Sequence, residues 1–205
     1  QNLLVTILQK PDAPLSELRI LGNGEPGAVL AAPLPATTLD TPLHGLFANA
    51  LRAAPESLAV TDAAGARWSY AQLAARANAV AAALLAAGIV PGDVIGVCAA
   101  RSADNIAAIL GVLQAGACWL PLDPEYPATR LASMLELGTA RCVITDGSAG
   151  LPANITAFDL DAVVSSNLDL QPALPDVSPA AAACVLFTSG STGQPKAVLL
   201  EHRGL

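Results

Sequence analysis

The 205 residues carry 53% hydrophobic, 13% charged and only 3% aromatic side chains, with a formal net charge of −7. That length suffices for one domain with a sizeable core, and the acidic balance argues against a nucleic-acid binder, which needs a basic face. No run of 18 apolar residues marks a membrane span, and the cysteines Cys98, Cys118, Cys142 and Cys184 sit in apolar runs without paired spacing, the pattern of buried free thiols in a reducing cytosol.

The chain opens on Gln1, as a piece of something longer would. Leu3, Leu4, Ile7 and Leu8 make a helical stripe that Pro11 ends, and Leu15 to Leu21 gives a further apolar run. Residues 22–41 carry Gly and Pro without periodicity and read as a linker. Thr41 is placed to cap a helix with Pro42 at its first position and Leu43, Leu46, Phe47, Ala50 and Leu51 on one face. Leu58 to Val60 reads as a strand, with a turn at Ala64-Gly65. Ser69 and Gln72 have capping-box spacing before a helix whose stripe is Leu73, Ala77, Val80 and Leu84 and whose stop is Gly88. Val94 to Cys98 is a buried strand. Ser102 caps a third helix facing Ile106, Ile109, Leu110 and Leu113 inward, ended by Gly116.

A strand from Ala117 to Leu122 follows, then a turn, Asp123 to Pro127, in which Asp123 is a turn residue. The next helix bears Leu131, Met134 and Leu135 and closes at Gly138, before a strand from Cys142 to Thr145. Residues 147–154 and 161–180 read as loops around a short strand, Ile155 to Leu160. Strand and helix alternate three times, which gives an α/β fold with right-handed βαβ units and a mainly parallel sheet. Trp68 and Trp119 read as core or near-core aromatics. His44 and His202, the sole histidines, read as structural: His44 packs at a helix start and His202 orients a turn.

The most informative stretch is Thr188 to Lys196, TSGSTGQPK, between the apolar runs Ala183 to Phe187 and Ala197 to Leu200. Gly190 and Gly193 let the backbone turn tightly and bring N–H groups close to a ligand. Thr188, Ser189, Ser191 and Thr192 offer four hydroxyls, and Lys196 offers a compact positive charge in a chain whose one other lysine is Lys10. The pattern is not a Walker A motif, because Gln194 and Pro195 separate Gly193 from the lysine and a strand-like run follows. Strand–loop–strand geometry and the rare lysine favour a phosphate-binding loop over a solvated turn.

With Ala197, Val198 and His202 after it, this stretch resembles the phosphate-loop signature of the adenylate-forming, AMP-binding enzymes. Trp68 to Leu73 (WSYAQL) and Leu113 to Pro127 (LQAGACWLPLDPEYP) resemble two earlier motifs of that family, in its order. Asp123, Pro124, Tyr126 and Pro127, with the opening His44 to Phe47, point to the adenylation domains of nonribosomal peptide synthetases. The match covers residues 42–205, and 1–21 resembles the tail of a preceding condensation domain. Ala197, Gln72 and Gln114 depart from the family's usual glycine, glutamate and lysine.

The resemblance implies an incomplete N-terminal portion of an adenylation domain, whose parent activates an amino acid with ATP and Mg2+. Aminoacyl-AMP would form and load onto the phosphopantetheine thiol of a carrier domain, in the cytoplasm. It implies phosphate contacts from Thr188, Ser189, Gly190, Ser191, Thr192, Gly193 and Lys196, with no catalytic residue and no metal ligand in this stretch, since the family's other site groups lie in later segments. Two alternatives stay open: another adenylate former of the acyl-CoA synthetase type, or a non-catalytic remnant that packs against neighbouring domains.

Overall fold

The computed structural model describes residues 7–14, 40–62, 65–188 and 196–205. The chain divides into two units, Gln1–Thr38 and Leu39–Leu205. In the first, Ile7 to Gln9 is helical, both apolar side chains of that stretch are exposed, and the Ala13 N–H donates to the Lys10 carbonyl in the turn around Pro11. The predicted stripe residues Leu3 and Leu4, the run from Leu15 to Leu21 and nearly all of the expected linker lie outside the described residues.

The second unit begins with helix α1, Leu43–Ala53, then the strands β1, Leu58–Thr61, and β2, Arg67–Ser69, which pair antiparallel. Thr41 does not cap α1: Pro42 occupies the cap position with φ −64° and ψ 155°, and no side-chain hydrogen bond is made from it. Its fixed φ suits an extended residue as well as a first helical one. No residue of α1 is fully buried, so the predicted apolar face is only partly covered.

Ser69 and Gln72 form the expected capping box at the head of α2, Tyr70–Ala86. The Gln72 N–H donates to Ser69 Oγ at 3.2 Å and the Ser69 N–H to Gln72 Oε1 at 2.9 Å. Two orphan amides are thereby satisfied. Leu73, Ala77, Val80 and Leu84 are buried as their spacing requires, and Gly88 stops the helix at φ +76°.

From there strand and helix alternate: β3 (Val94–Cys98), α3 (Ala103–Gln114), β4 (Cys118–Leu122), α4 (Ala128–Leu137), β5 (Ala140–Thr145), β6 (Thr156–Asp159), α5 (Leu160–Asn167), β7 (Ala182–Thr188) and β8 (Lys196–Glu201). The sheet order is β6-β5-β3-β4-β7-β8, parallel throughout except for the antiparallel pair β7–β8. Side chains alternate across it. Ile95, Val97, Cys142 and Ile144 meet α2, α3 and α5 through Val80, Leu84, Val112 and Val164 on one face. Cys98, Leu120, Leu122 and Val143 meet Leu131, Met134 and Leu135 of α4 on the other. Both faces of a parallel sheet are thus covered, which explains the unbroken apolar strands.

Two further expectations are corrected. The inward face of α3 is Ala103, Ala107, Ala108, Gly111 and Val112 with Leu113, whereas Ile106 is 38% exposed and Ile109 and Leu110 are half-buried. The small residues win because α2 packs so closely that a Cβ on Gly111 would lie 2.6 Å from Val80 Cβ. Residues 161–167, expected as loop, and Leu160, expected as the end of a strand, form α5. Asp159 Oδ1 accepts the Ala162 N–H at 2.8 Å as its cap, and Leu160 and Val164, one turn apart, are buried.

Candidate phosphate-binding site at the carboxyl edge of the sheet

The chain leaves β3 for β4 on one side through α3, and leaves β4 for β5 on the far side of β3 through α4. The two outgoing connections therefore diverge to opposite faces, and a crevice opens outside the carboxyl ends of β3 and β4, the place where open α/β sheets receive ligands. A cleft of about 740 Å³ occupies it. Sequence also widens the opening. Pro121 has no N–H to give to a ladder, and β4 is bridged to β7 at a single register position, Trp119↔Cys184. Beyond that point Pro121 and Leu122 line one wall and Leu186 and Phe187 of β7 line the other.

Polar groups close the cleft's rim. The Asn105 amide donates to the carbonyls of Ala99 (2.7 Å) and Ala100 (3.3 Å), fixing the β3–α3 turn. The Ala100 N–H donates to Asp146 Oδ2 at 2.7 Å, tying that turn to the end of β5. Burial pushes the Asp146 carboxyl up, but hydrogen bonds from the Ser148 hydroxyl and the amides of Ala100 and Ser148 outweigh it and hold the group below its usual range. Asp123 Oδ1 accepts the Glu125 N–H at 3.0 Å, the turn role expected of it. Arg130 stacks over Tyr126, 3.9 Å from the ring centre, and Arg101 adds a second cation.

The predicted phosphate loop is spanned by β7 and β8, so the strand–loop–strand setting is met. Thr188 pairs with Lys196 as the last rung of the antiparallel ladder, and both are exposed. The Thr188 hydroxyl reaches toward the Lys196 carbonyl at 3.5 Å, the outer limit of a hydrogen bond. Ser189, Gly190, Ser191, Thr192 and Gly193 lie outside the described residues. Leu186 and Phe187 wall the cleft immediately before Thr188, so the loop's first anchor stands at the cleft's edge.

Sequence reasoning did not nominate Arg101, Asn105 or Arg130. No motif marks them, and their signal is positional: each follows the carboxyl end of a parallel strand. All four cysteines are buried free thiols, with burial pushing Cys118 up to about 12 and Cys98, Cys142 and Cys184 up to about 11. Among the described residues no three or more His, Cys, Asp or Glu side chains gather to hold a metal ion, and no helix is long and apolar enough to cross a membrane. Trp68 and Trp119 are half-buried.

Residues 47–205 match the family model of the AMP-binding enzymes. Tyrocidine synthase 3 of Brevibacillus parabrevis is 35% identical over 212 residues, covering all of this chain and 3% of that protein. The nonribosomal peptide synthetase FmoA3, solved with AMPPNP bound, aligns at a TM-score of 0.74 and 31% identity over 81% of this chain and 18% of its own. The N-terminal subdomain of Klebsiella oxytoca NpsA shares the fold at a TM-score of 0.73 and 24% identity, over 79% of this chain and 42% of its own. The chain belongs to the AMP-binding, adenylate-forming enzymes, on the side of the peptide synthetase adenylation domains. It spans about 3% of the length of the synthetases it matches first.

Proposed function

We propose that residues 42–205 form the N-terminal portion of an adenylation domain in a nonribosomal peptide synthetase, with 22–41 a linker and 1–21 the tail of a condensation domain. The parent protein activates an amino acid. The substrate carboxylate attacks the α-phosphate of ATP, the bond to the β-phosphate breaks, and aminoacyl-AMP and pyrophosphate result. The acyl group then passes to a phosphopantetheine thiol on a carrier domain, releasing AMP. Mg2+ accompanies the nucleotide when bound and offsets its charge. No ligand for it is assigned to this chain.

The share assigned to this chain is electrostatic. Thr188, Ser189, Gly190, Ser191, Thr192, Gly193 and Lys196 hold the β- and γ-phosphates through backbone N–H groups, hydroxyls and one ammonium. They stabilise the charge that moves onto the leaving pyrophosphate. The observation that carries this reading is the closed mouth of the hairpin, Thr188 against Lys196, at the edge of the cleft. The loop is held at both ends by strand pairing and so can order around an anion without disturbing the sheet.

The test is amino-acid-dependent ATP–pyrophosphate exchange by the intact parent. Lys196→Ala or Thr192→Ala should slow exchange on the order of 10–1000-fold while leaving the folded state intact, because Lys196 is exposed and gives up no core contact. Parental exchange rates in both variants would make the loop an ordinary turn.

A further inference from the structure

Helix α1 is held at its amino end from the far end of the described chain. The Leu43 N–H, an orphan amide of the helix's first turn, donates to Nδ1 of His202, 159 residues away and 3.3 Å distant. The His202 ring meets that of His44 edge-on, with centroids 5.5 Å apart. His202 is 2% exposed, and its Nε2 and the Nδ1 of His44 are buried without a partner. Sequence reading gave the two histidines separate structural roles. The fold makes them one contact.

We propose that the His44–His202 pair is a proton-operated latch that docks α1 on the body of the domain when both rings are neutral and releases it when they are charged. An imidazolium at Nδ1 is a donor, so protonating His202 there removes the acceptor that Leu43 uses. It also places positive charge at the positive end of a helix and beside a second imidazole. The rest of the hold on α1 is shallow packing of half-buried residues. The helix has no fully buried residue and no side-chain cap, and its other aromatic contact is Phe47 on Tyr70, 5.7 Å between ring centres.

The groups around the pair leave the added charge unpartnered. On the turn after β8, Arg203 pairs with Glu201 at 2.5 Å. On α1, Arg52 hydrogen-bonds Asn49. On α2 and α3, Arg76 pairs with Asp104 at 2.8 Å. β7 offers the buried thiol Cys184, and the 178–181 segment offers backbone carbonyls, Ala181 to the His202 N–H and Pro179 to the Arg203 N–H. Asp40 is exposed and, among the described residues, neither ring has an ion-pair partner. Burial, then the neighbouring His202, lowers His44 to about 4, and burial lowers His202.

Released rings return to the ordinary value near 6.5 and bind protons that docked rings refuse. Docking is therefore complete above about pH 6.5 and is lost as pH falls toward the lowered docked values.

Hydrogen–deuterium exchange on the intact parent protein, corrected for the intrinsic pH dependence of exchange, tests this peptide by peptide. Between pH 7.5 and 5, protection of residues 43–53 should fall up to about tenfold per pH unit for each ring, while α2, α3 and the sheet keep theirs. His202→Asn supplies a non-titrating acceptor and should remove the His202 component, leaving the part that the burial of His44 carries. His44→Phe should keep the His202 component. Protection of α1 that does not change with pH, that falls only together with α3, or that keeps its full pH dependence in both variants would overturn the latch.

Discussion

Gly111 of α3 lies against Val80 of α2 with no room for a side chain: a Cβ there would stand 2.6 Å from Val80 Cβ and 2.7 Å from the Ala77 carbonyl oxygen. Gly111→Ala should therefore cost about 1–3 kcal/mol of stability as the helices are forced apart. Adding Val80→Ala should relieve only the side-chain part of the clash, since the Ala77 carbonyl belongs to the backbone. Thermal denaturation of the single and double variants checks both statements, and an unchanged melting temperature in Gly111→Ala would show slack between the helices.

The capping box makes a second prediction. Ser69→Ala removes the acceptor of the Gln72 N–H and should destabilise by about 1 kcal/mol. Gln72→Glu should be neutral or mildly stabilising, because a carboxylate accepts the Ser69 N–H equally well and suits a helix amino end. Urea unfolding midpoints at constant slope would show the two variants moving differently.

Thiol chemistry should report burial. With the four thiols raised to about 11 or 12, about one thousandth or less of each is thiolate at pH 8. Iodoacetamide with peptide mapping should find Cys98, Cys118, Cys142 and Cys184 unmodified in the native protein and fully labelled in denaturant. Rapid native labelling of any one would contradict its place in the core.

Asp146 should govern acid stability at the cleft's rim. Its folded-state carboxyl is held below the ordinary value of 3.8, so its contribution is present above that value and is lost as pH falls through the lower folded one. Asp146→Asn should remove that slope below about pH 4. Melting temperature against pH for the two proteins gives the comparison, and parallel curves would mean that the Ala100 and Ser148 hydrogen bonds do not favour the charged form.

Much of the architecture was legible because it rests on local rules. Ser69 with Gln72, Ser102 and the glycines at 88 and 116 mark helix ends through short-range hydrogen bonds and positive φ, and the runs at 94–98 and 118–122 are apolar because both sheet faces are covered. What stayed hidden depends on partners distant in sequence. The inner face of α3 is chosen by how closely α2 approaches, and bulky Ile106 loses to Ala107 and Gly111 there. The strand Arg67–Ser69 is called into being by Leu58–Thr61 across a turn. Helix α5 announced itself only by Asp159 and two buried residues within a segment read as loop. At the candidate site, the strands flanking the loop and Lys196 at its mouth could be read from sequence. The cleft beside them could not, because the divergence of the β3 and β4 connections is a property of sheet order.

The bond between Leu43 and His202 has a consequence during synthesis. Helix α1 leaves the ribosome 159 residues ahead of the imidazole that receives its first amide. At about 5–20 residues per second, that interval is roughly 8–30 s. Throughout it the first amide of α1 lacks the acceptor it has in the finished fold, so that bond forms only after β8 has been made.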